Sequence, residues 1–243
     1  MAGHSKWANI KRRKAVVDAK RGKLFTRSSK EIIVAARIGG GDPDGNSRLR
    51  MAIENAKAIS MPADNIRRAI LRGTGELEGL TYEDATYEGY GPGGVAVIVD
   101  CTTDHRNRTT QQLRACFAKY GGVLGETNSV NWNFTRKGEI RIETVCTEEA
   151  LLETALEVGA DDVFMIDDGA VITCSVDMLG TCANGLVAAG LIVREQHIVF
   201  EPNTTIEIDD AAVEVKFLKM LDALDENDDV QDVFHNAELR DNE

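Results

Sequence analysis

The chain has 243 residues, of which 43% are hydrophobic and only four are proline, enough to bury a core and form two or three small domains and too apolar for a disordered protein. Its 40 Asp+Glu against 28 Lys+Arg give a net charge of −12, yet the first 30 residues hold ten cations and one carboxylate, Asp18. The cysteines Cys101, Cys116, Cys146, Cys174 and Cys182 are odd in number and make no C-x-x-C pair, which argues against a zinc ribbon or disulfide framework and for buried thiols in a reducing compartment; with no apolar run of about 18 residues and no h-region behind the basic start, a cytoplasmic chain with no membrane partner is expected.

The charge is segregated: residues 1–75 carry 17 Lys+Arg and 6 Asp+Glu, and residues 76–243 carry 11 and 34. A split of this size points to one end meeting a polyanion. Residues 6–21 and 23–38 lack proline, are rich in Ala, Lys, Arg and Ile, and predict two helices broken at Gly22, stopped by GGGDPDG at residues 39–45. A third helix carries Leu49, Ile53 and Ala56 behind an Asp44-Gly45-Asn46 start. A fourth opens at Pro62, carries Ile66 and Ile70, and ends before Gly73.

After a linker around EGLTYEDATYEGYGPGG, short β-rich runs alternate with helices. VAVIVD (95–100) predicts a buried strand, residues 107–120 a helix closed by Gly121-Gly122, and VNWNF and EIRIET further strands. A second cycle follows: helix 148–158, strand 170–175, helix 177–189 and strand LIVREQHIVF. A helix near 211–224 and a strand near 230–234 end the chain. Two cycles of this kind predict two small α+β units of the ferredoxin-like sort.

Few residues suggest catalysis. GYGPGG (89–94) satisfies G-x-G-x-x-G, but the dinucleotide motif needs a helix after the glycines and a strand follows here, so the segment reads as a turn. No Gly-Lys-Ser/Thr follows GGGDPDG. His4, His105, His197 and His235 lack zinc-site spacing, and there is no G-x-S-x-G elbow. The acidic clusters at 161–162, 167–168 and 225–229 lack a calcium-loop pattern and read as solvated surface. No catalytic residue, metal, cofactor or small-molecule substrate is expected.

The basic tip is the strongest feature. Lys11, Arg12, Arg13 and Lys14 are consecutive, so at about 100° per residue they point round a helix and cannot all lie on one docked face. Lys6, Lys20, Arg21, Lys23 and Arg27 extend the cationic surface, and Trp7 is placed either to stack on a base or to fix the helix in a core. A smaller cluster lies at residues 106–141, seven cations against Glu126 and Glu139. Its first members, Arg106 and Arg108, stand at a predicted helix start, where free N–H groups favour an anion.

At these residues the sequence resembles the YebC/PmpR family. MAGHSKWANIKRRKAVVDAKRGKLFTR, RLRMAIENAKAISMPADNIRRAI, YEGYGPGGVAVIVDCTTDHRNRT and GGVLGETNSVNWNF look like its successive blocks, with GHSKW and MPADNIRRAI the most specific. Ser47, where the family often has proline, and the polar Ser28-Ser29 depart from the pattern. The resemblance implies an α+β multidomain chain: an N-terminal basic helical domain (1–78), an α+β domain (79–135 plus 205–243), and a third, ferredoxin-like domain (136–204) inserted in the second. It also implies a non-enzymatic nucleic-acid-binding regulator of gene expression, acting on DNA in transcription or on RNA or the ribosome in translation. An acidic adaptor binding a basic protein partner is the alternative, and a nucleotide-using enzyme a remoter one.

Overall fold

The computed structural model describes residues 21–143, 147–166 and 168–239. All but the last residue of the predicted helix over 6–21, and with it Lys6, Trp7, Lys11, Arg12, Arg13, Lys14 and Lys20, lies outside the described residues, as does Cys146. The first described helix, α1, spans Arg21–Gly39 and includes Gly22 in its first turn. The chain divides into two compact units: the first draws its described residues from 21–34, 78–135 and 201–239, the second from Ala35–Leu77 and Arg136–Phe200.

In the first unit β1 (Glu83–Tyr90) and β2 (Ala96–Thr103) form an antiparallel hairpin running from Glu83↔Thr103 to Tyr90↔Ala96. GYGPGG is its turn. Gly93 and Gly94 have φ of 77° and 75°, a region only glycine enters without strain. Strand β1 lies where a linker was predicted, because its buried positions are Ala85, Glu88 and Gly89 rather than large apolar residues. Helix α4, β3 and the C-terminal elements complete the unit once α2 (Ser47–Ala58) and α3 (Ala63–Gly73) are passed: α4 (Arg106–Tyr120), β3 (Val123–Leu124), and, beyond residue 200, β8 (Ile206–Glu207), α7 (Ala211–Asp225), β9 (Val230–His235) and β10 (Ala237–Glu238). The sheet order is β3-β1-β2-β9. Leu113 and Phe117 of α4 and Phe217, Met220, Leu221 and Leu224 of α7 recur at helical spacing, and they meet Val97, Val99 and Cys101 at strand spacing in one core.

The second unit holds β4 (Phe134–Glu143), α5 (Glu148–Glu157), β5 (Asp162–Ile166), β6 (Gly169–Cys174), α6 (Leu179–Ala188) and β7 (Ile192–Pro202), the ends of β4 and β7 belonging to the first. VNWNF is not itself a strand: Asn131–Asn133 is a 3-10 turn, and β4 starts at Phe134. Strand β5, hidden between two acidic pairs, escaped the pattern. The order β5-β6-β4-β7, with β6 antiparallel to both neighbours, is the ferredoxin-like arrangement of a β-α-β-β-α-β chain. The first unit has a different order: its first two strands, β1 and β2, are adjacent as a hairpin in the middle of the sheet, with β3 beyond β1 and β9 beyond β2.

Helices α2 and α3 belong to this second unit. Within the predicted Asp44-Gly45-Asn46 start, Asn46 caps α2, its side chain accepting from Leu49 N at 3.1 Å and donating to the Ala35 and Gly40 carbonyls, both at 2.8 Å. Asn55 donates to Gln196 O at 2.8 Å and accepts from Gln196 N at 3.1 Å. Its amide thus occupies backbone groups of β7, an edge strand that would otherwise be open to pairing.

Candidate nucleic-acid interface

Three α1 cations stand at i, i+4 and i+7, so they fall along one side of the helix. They meet the acidic stretch at 225–229. Lys23 Nζ is 4.0 Å from Asp228 Oδ1 and Arg27 Nη2 is 4.0 Å from Asp225 Oδ1 while donating to the Asp225 carbonyl at 3.0 Å. Lys30, 6% exposed, donates to Asp229 Oδ1 at 3.0 Å, to Asp228 O at 2.7 Å and to Thr102 O at 3.1 Å, and lies 5.2 Å from the Tyr82 ring centroid. Lys23 and Arg27, expected to face a polyanion, therefore lie beside the protein's own acids, Arg27 against a half-buried one and Lys23 against an exposed one. Arg21 is described only as the first residue of α1.

Asp229 is the hub of this cluster and corrects the reading of residues 225–229 as solvated surface. It is 4% exposed, and its Oδ2 receives Arg108 Nη2 at 2.7 Å, the Thr109 hydroxyl at 2.8 Å and the Thr103 hydroxyl at 3.2 Å. Burial pushes the carboxyl up, but hydrogen bonds from Arg108, Lys30 and Thr109 outweigh it and hold the pKa at about 2. An uncompensated carboxylate could not be buried here.

The start of α4 thus takes an internal anion. His105 caps the helix, its Nδ1 accepting from Arg108 N at 3.2 Å, and the Arg108 guanidinium is shared between Asp104 and Asp229, both at 2.7 Å. Those bonds push the Arg108 pKa further up and hold Asp104 below the usual carboxylate range. Arg106 is different: exposed, with its guanidinium making no hydrogen bond or ion pair among the described residues. Of the two α4 cations singled out from the sequence, Arg106 offers open charge and Arg108 is committed to the fold. Arg114 and Lys119 are also exposed.

The second unit offers exposed Arg37, Arg50, Lys57, Arg67, Arg68 and Arg72. Arg67 and Arg68 reach back to Asp64 at 3.6 and 2.7 Å within α3, and such solvent-exposed pairs exchange readily with an incoming phosphate. The sequence reading missed Lys30, whose i+7 spacing from Lys23 was visible. It also missed Asp229, whose role depends on partners far away along the chain. Among the described residues no group of His, Cys, Asp and Glu is placed to hold a metal ion, and no helix is long and apolar enough to cross a membrane.

Residues 5–76 match a family described as TACO1/YebC protein N-terminal domain, and residues 82–237 match TACO1/YebC second and third domain. A probable transcriptional regulatory protein of Chloroherpeton thalassium is 52% identical over 242 residues, 98% of this chain and 96% of that one. One of Myxococcus xanthus is 49% identical over 242 residues, 99% and 97%. The crystal structure of a conserved hypothetical protein from Aquifex aeolicus is similar with a TM-score of 0.87 at 47% identity, covering 93% of each chain. With a helical N-terminal region, antiparallel α+β units and matches along nearly its whole length, the chain belongs to the TACO1/YebC family.

Proposed function

We propose that the chain is a non-enzymatic nucleic-acid-binding regulator of gene expression whose N-terminal region, chiefly Lys6, Lys11, Arg12, Arg13, Lys14 and Lys20, grips phosphate. The observation that carries this is the charge split, 17 cations to 6 carboxylates in residues 1–75 against 11 to 34 in the remainder. The names of the Chloroherpeton and Myxococcus relatives support the regulatory role. Because Lys23, Arg27 and Arg108 meet the protein's own carboxylates, the grip falls on the preceding residues, with Arg106 and the exposed arginines of α2 and α3 as secondary contacts. The target is DNA or structured RNA, the ribosome included, and backbone and shape contacts outweigh base reading in the phosphate grip.

If phosphate neutralisation drives binding, log affinity falls linearly with log salt, by about 0.9 per duplex phosphate contact and about 0.7 on single strands. Replacing Lys11, Arg12, Arg13 and Lys14 by Gln should flatten that slope markedly. An unchanged slope and affinity would move the site elsewhere. Crosslinking in cells followed by sequencing of both DNA and RNA then separates transcription from translation.

A further inference from the structure

Trp132 is 70% exposed, although the loop that carries it is among the most heavily bonded segments of the first unit. Glu88, 6% exposed, accepts from Asn128 N, Val130 N and Asn131 N, each at 2.8 Å. Behind it, the Asn133 side chain accepts from Thr204 N at 3.1 Å and from the Thr204 hydroxyl at 2.7 Å, and donates to Thr204 O at 3.2 Å. Trp132 Nε1 donates to Ser129 O at 3.0 Å, and the Tyr90 hydroxyl donates to the same oxygen at 3.0 Å. One carbonyl therefore fixes the polar edges of two aromatic rings, and Tyr90 is itself 40% exposed.

A core does not require this arrangement. A large indole left in water while a buried carboxylate and an amide fasten the backbone on either side of it is a surface preorganised for a flat partner. Its setting indicates which partner. Asn128 and Asn131 of the same loop are exposed and carry amides able to donate to and accept from a base edge. The loop's one acid, Glu126, is exposed and disfavours phosphate on the loop itself, leaving the base as the moiety that fits. Phosphate has a place nearby: α4 contains four cations and no carboxylate, and its exposed Lys119 stands just ahead of Gly121-Gly122 and Val123, the residue paired with Tyr90.

We propose that Trp132 and Tyr90 form a stacking platform for an unpaired base of single-stranded nucleic acid, with Asn128 and Asn131 at its edge and Lys119 meeting the adjoining backbone. Stacking needs a base free of a duplex, so the platform selects single-stranded segments, whereas the basic tip takes any polyanion. The proposal rests on the nucleic-acid reading above and deepens it.

The test uses the full chain with a fluorescein-labelled 12-nucleotide oligo(U), the matching oligo(dT), and a blunt duplex of equal length, read by anisotropy. Trp132→Ala should weaken binding to the single strands by about tenfold or more and leave duplex affinity unchanged. Trp132→Phe should retain most of the single-strand affinity, because the ring face and not the indole N–H does the stacking. A thermal melt of each variant separates this effect from unfolding. Unchanged single-strand affinity in Trp132→Ala, with the wild type still binding, would overturn the platform, leave the nucleic-acid reading intact and assign the aromatic pair to a protein partner. Equal losses on single strands and duplex would also overturn it. Wild-type protein that binds none of the three probes would overturn both readings.

Discussion

The first unit buries Lys30 and Asp229 at 6% and 4% exposure beside its apolar core, whereas the second keeps its ion pairs near solvent. There Arg141 reaches Asp168 at 3.0 Å and Glu195 at 3.2 Å, Lys137 lies 3.5 Å from Asp161, and Arg194 pairs with Glu143. The interior beneath is lined by Ile140, Ile142, Leu151, Ile172, Leu179 and Leu186. The two sheets, each of four strands, differ in strand order and in what selects their partners. A buried charge accepts few neighbours, so Asp229 ties α1, α4 and β2 to one place in the first unit, where apolar packing alone would tolerate slippage. Such pairs add specificity more than net stability, since desolvation offsets much of the attraction.

The largest break in that contrast should come from Asp229→Ala, which leaves the buried Lys30 without its carboxylate and Arg108 with Asp104 alone, and costs about 3–5 kcal/mol. Hydrogen exchange would register it as lost protection in β2 and α4 with β6 and α6 unaffected; equal losses in both units would show that they unfold together. Replacing both members of the pair, Lys30→Met with Asp229→Leu, should recover a large part of the loss. In the second unit Leu186→Ala should cost about 2–5 kcal/mol through a cavity, with the opposite pattern of protection.

Acid sharpens the comparison. The Asp229 pKa is lowered from an ordinary 3.8 to about 2, so its contribution is complete above the ordinary value and disappears as pH falls through about 2. Protection in β2 and α4 should decline across that window, and Asp229→Asn should flatten the decline. The smallest effect belongs to Arg194→Gln. This arginine and Glu143 have side chains 52% and 45% exposed, and denaturant melts should move by about 1 kcal/mol or less.

What could be read from the sequence follows from where each element's signal comes from. Helices α4 and α7 were legible because Leu113 with Phe117, and Phe217 with Leu221 and Leu224, repeat at helical period beside recognisable starts and stops. Strand β2 was legible as an unbroken apolar run. Strand β1 was not, since its buried positions include a carboxylate, Glu88, that is satisfied only by the N–H groups of a loop some forty residues later. The same reason hid half of the candidate site. A cationic run is visible to counting, but that Lys23, Arg27 and Arg108 meet the protein's own acids depends on residues 225–229 folding against them. Trp132 passed as a strand residue because the alternation of VNWNF resembles a strand, and only the bonds from Glu88, Asn133 and Ser129 show that it is held outward.

The hydrogen bond between Lys30 and Asp229 joins residues 199 apart, and β2 waits for β9 in the same way. Made from its N-terminus, the chain possesses every strand of the β5-β6-β4-β7 sheet once residue 202 has been added. The other sheet still lacks its last strand, and Lys30 its carboxylate, until nearly the end of synthesis. Distant pairings are slow to close even in the finished chain, so the ferredoxin-like unit should mature first and the β3-β1-β2-β9 sheet should limit the rate of refolding. During that interval β2 is an open hydrogen-bonding edge, the kind of surface on which nascent chains pair wrongly. A polypeptide ending before residue 229 would keep that edge uncovered for good.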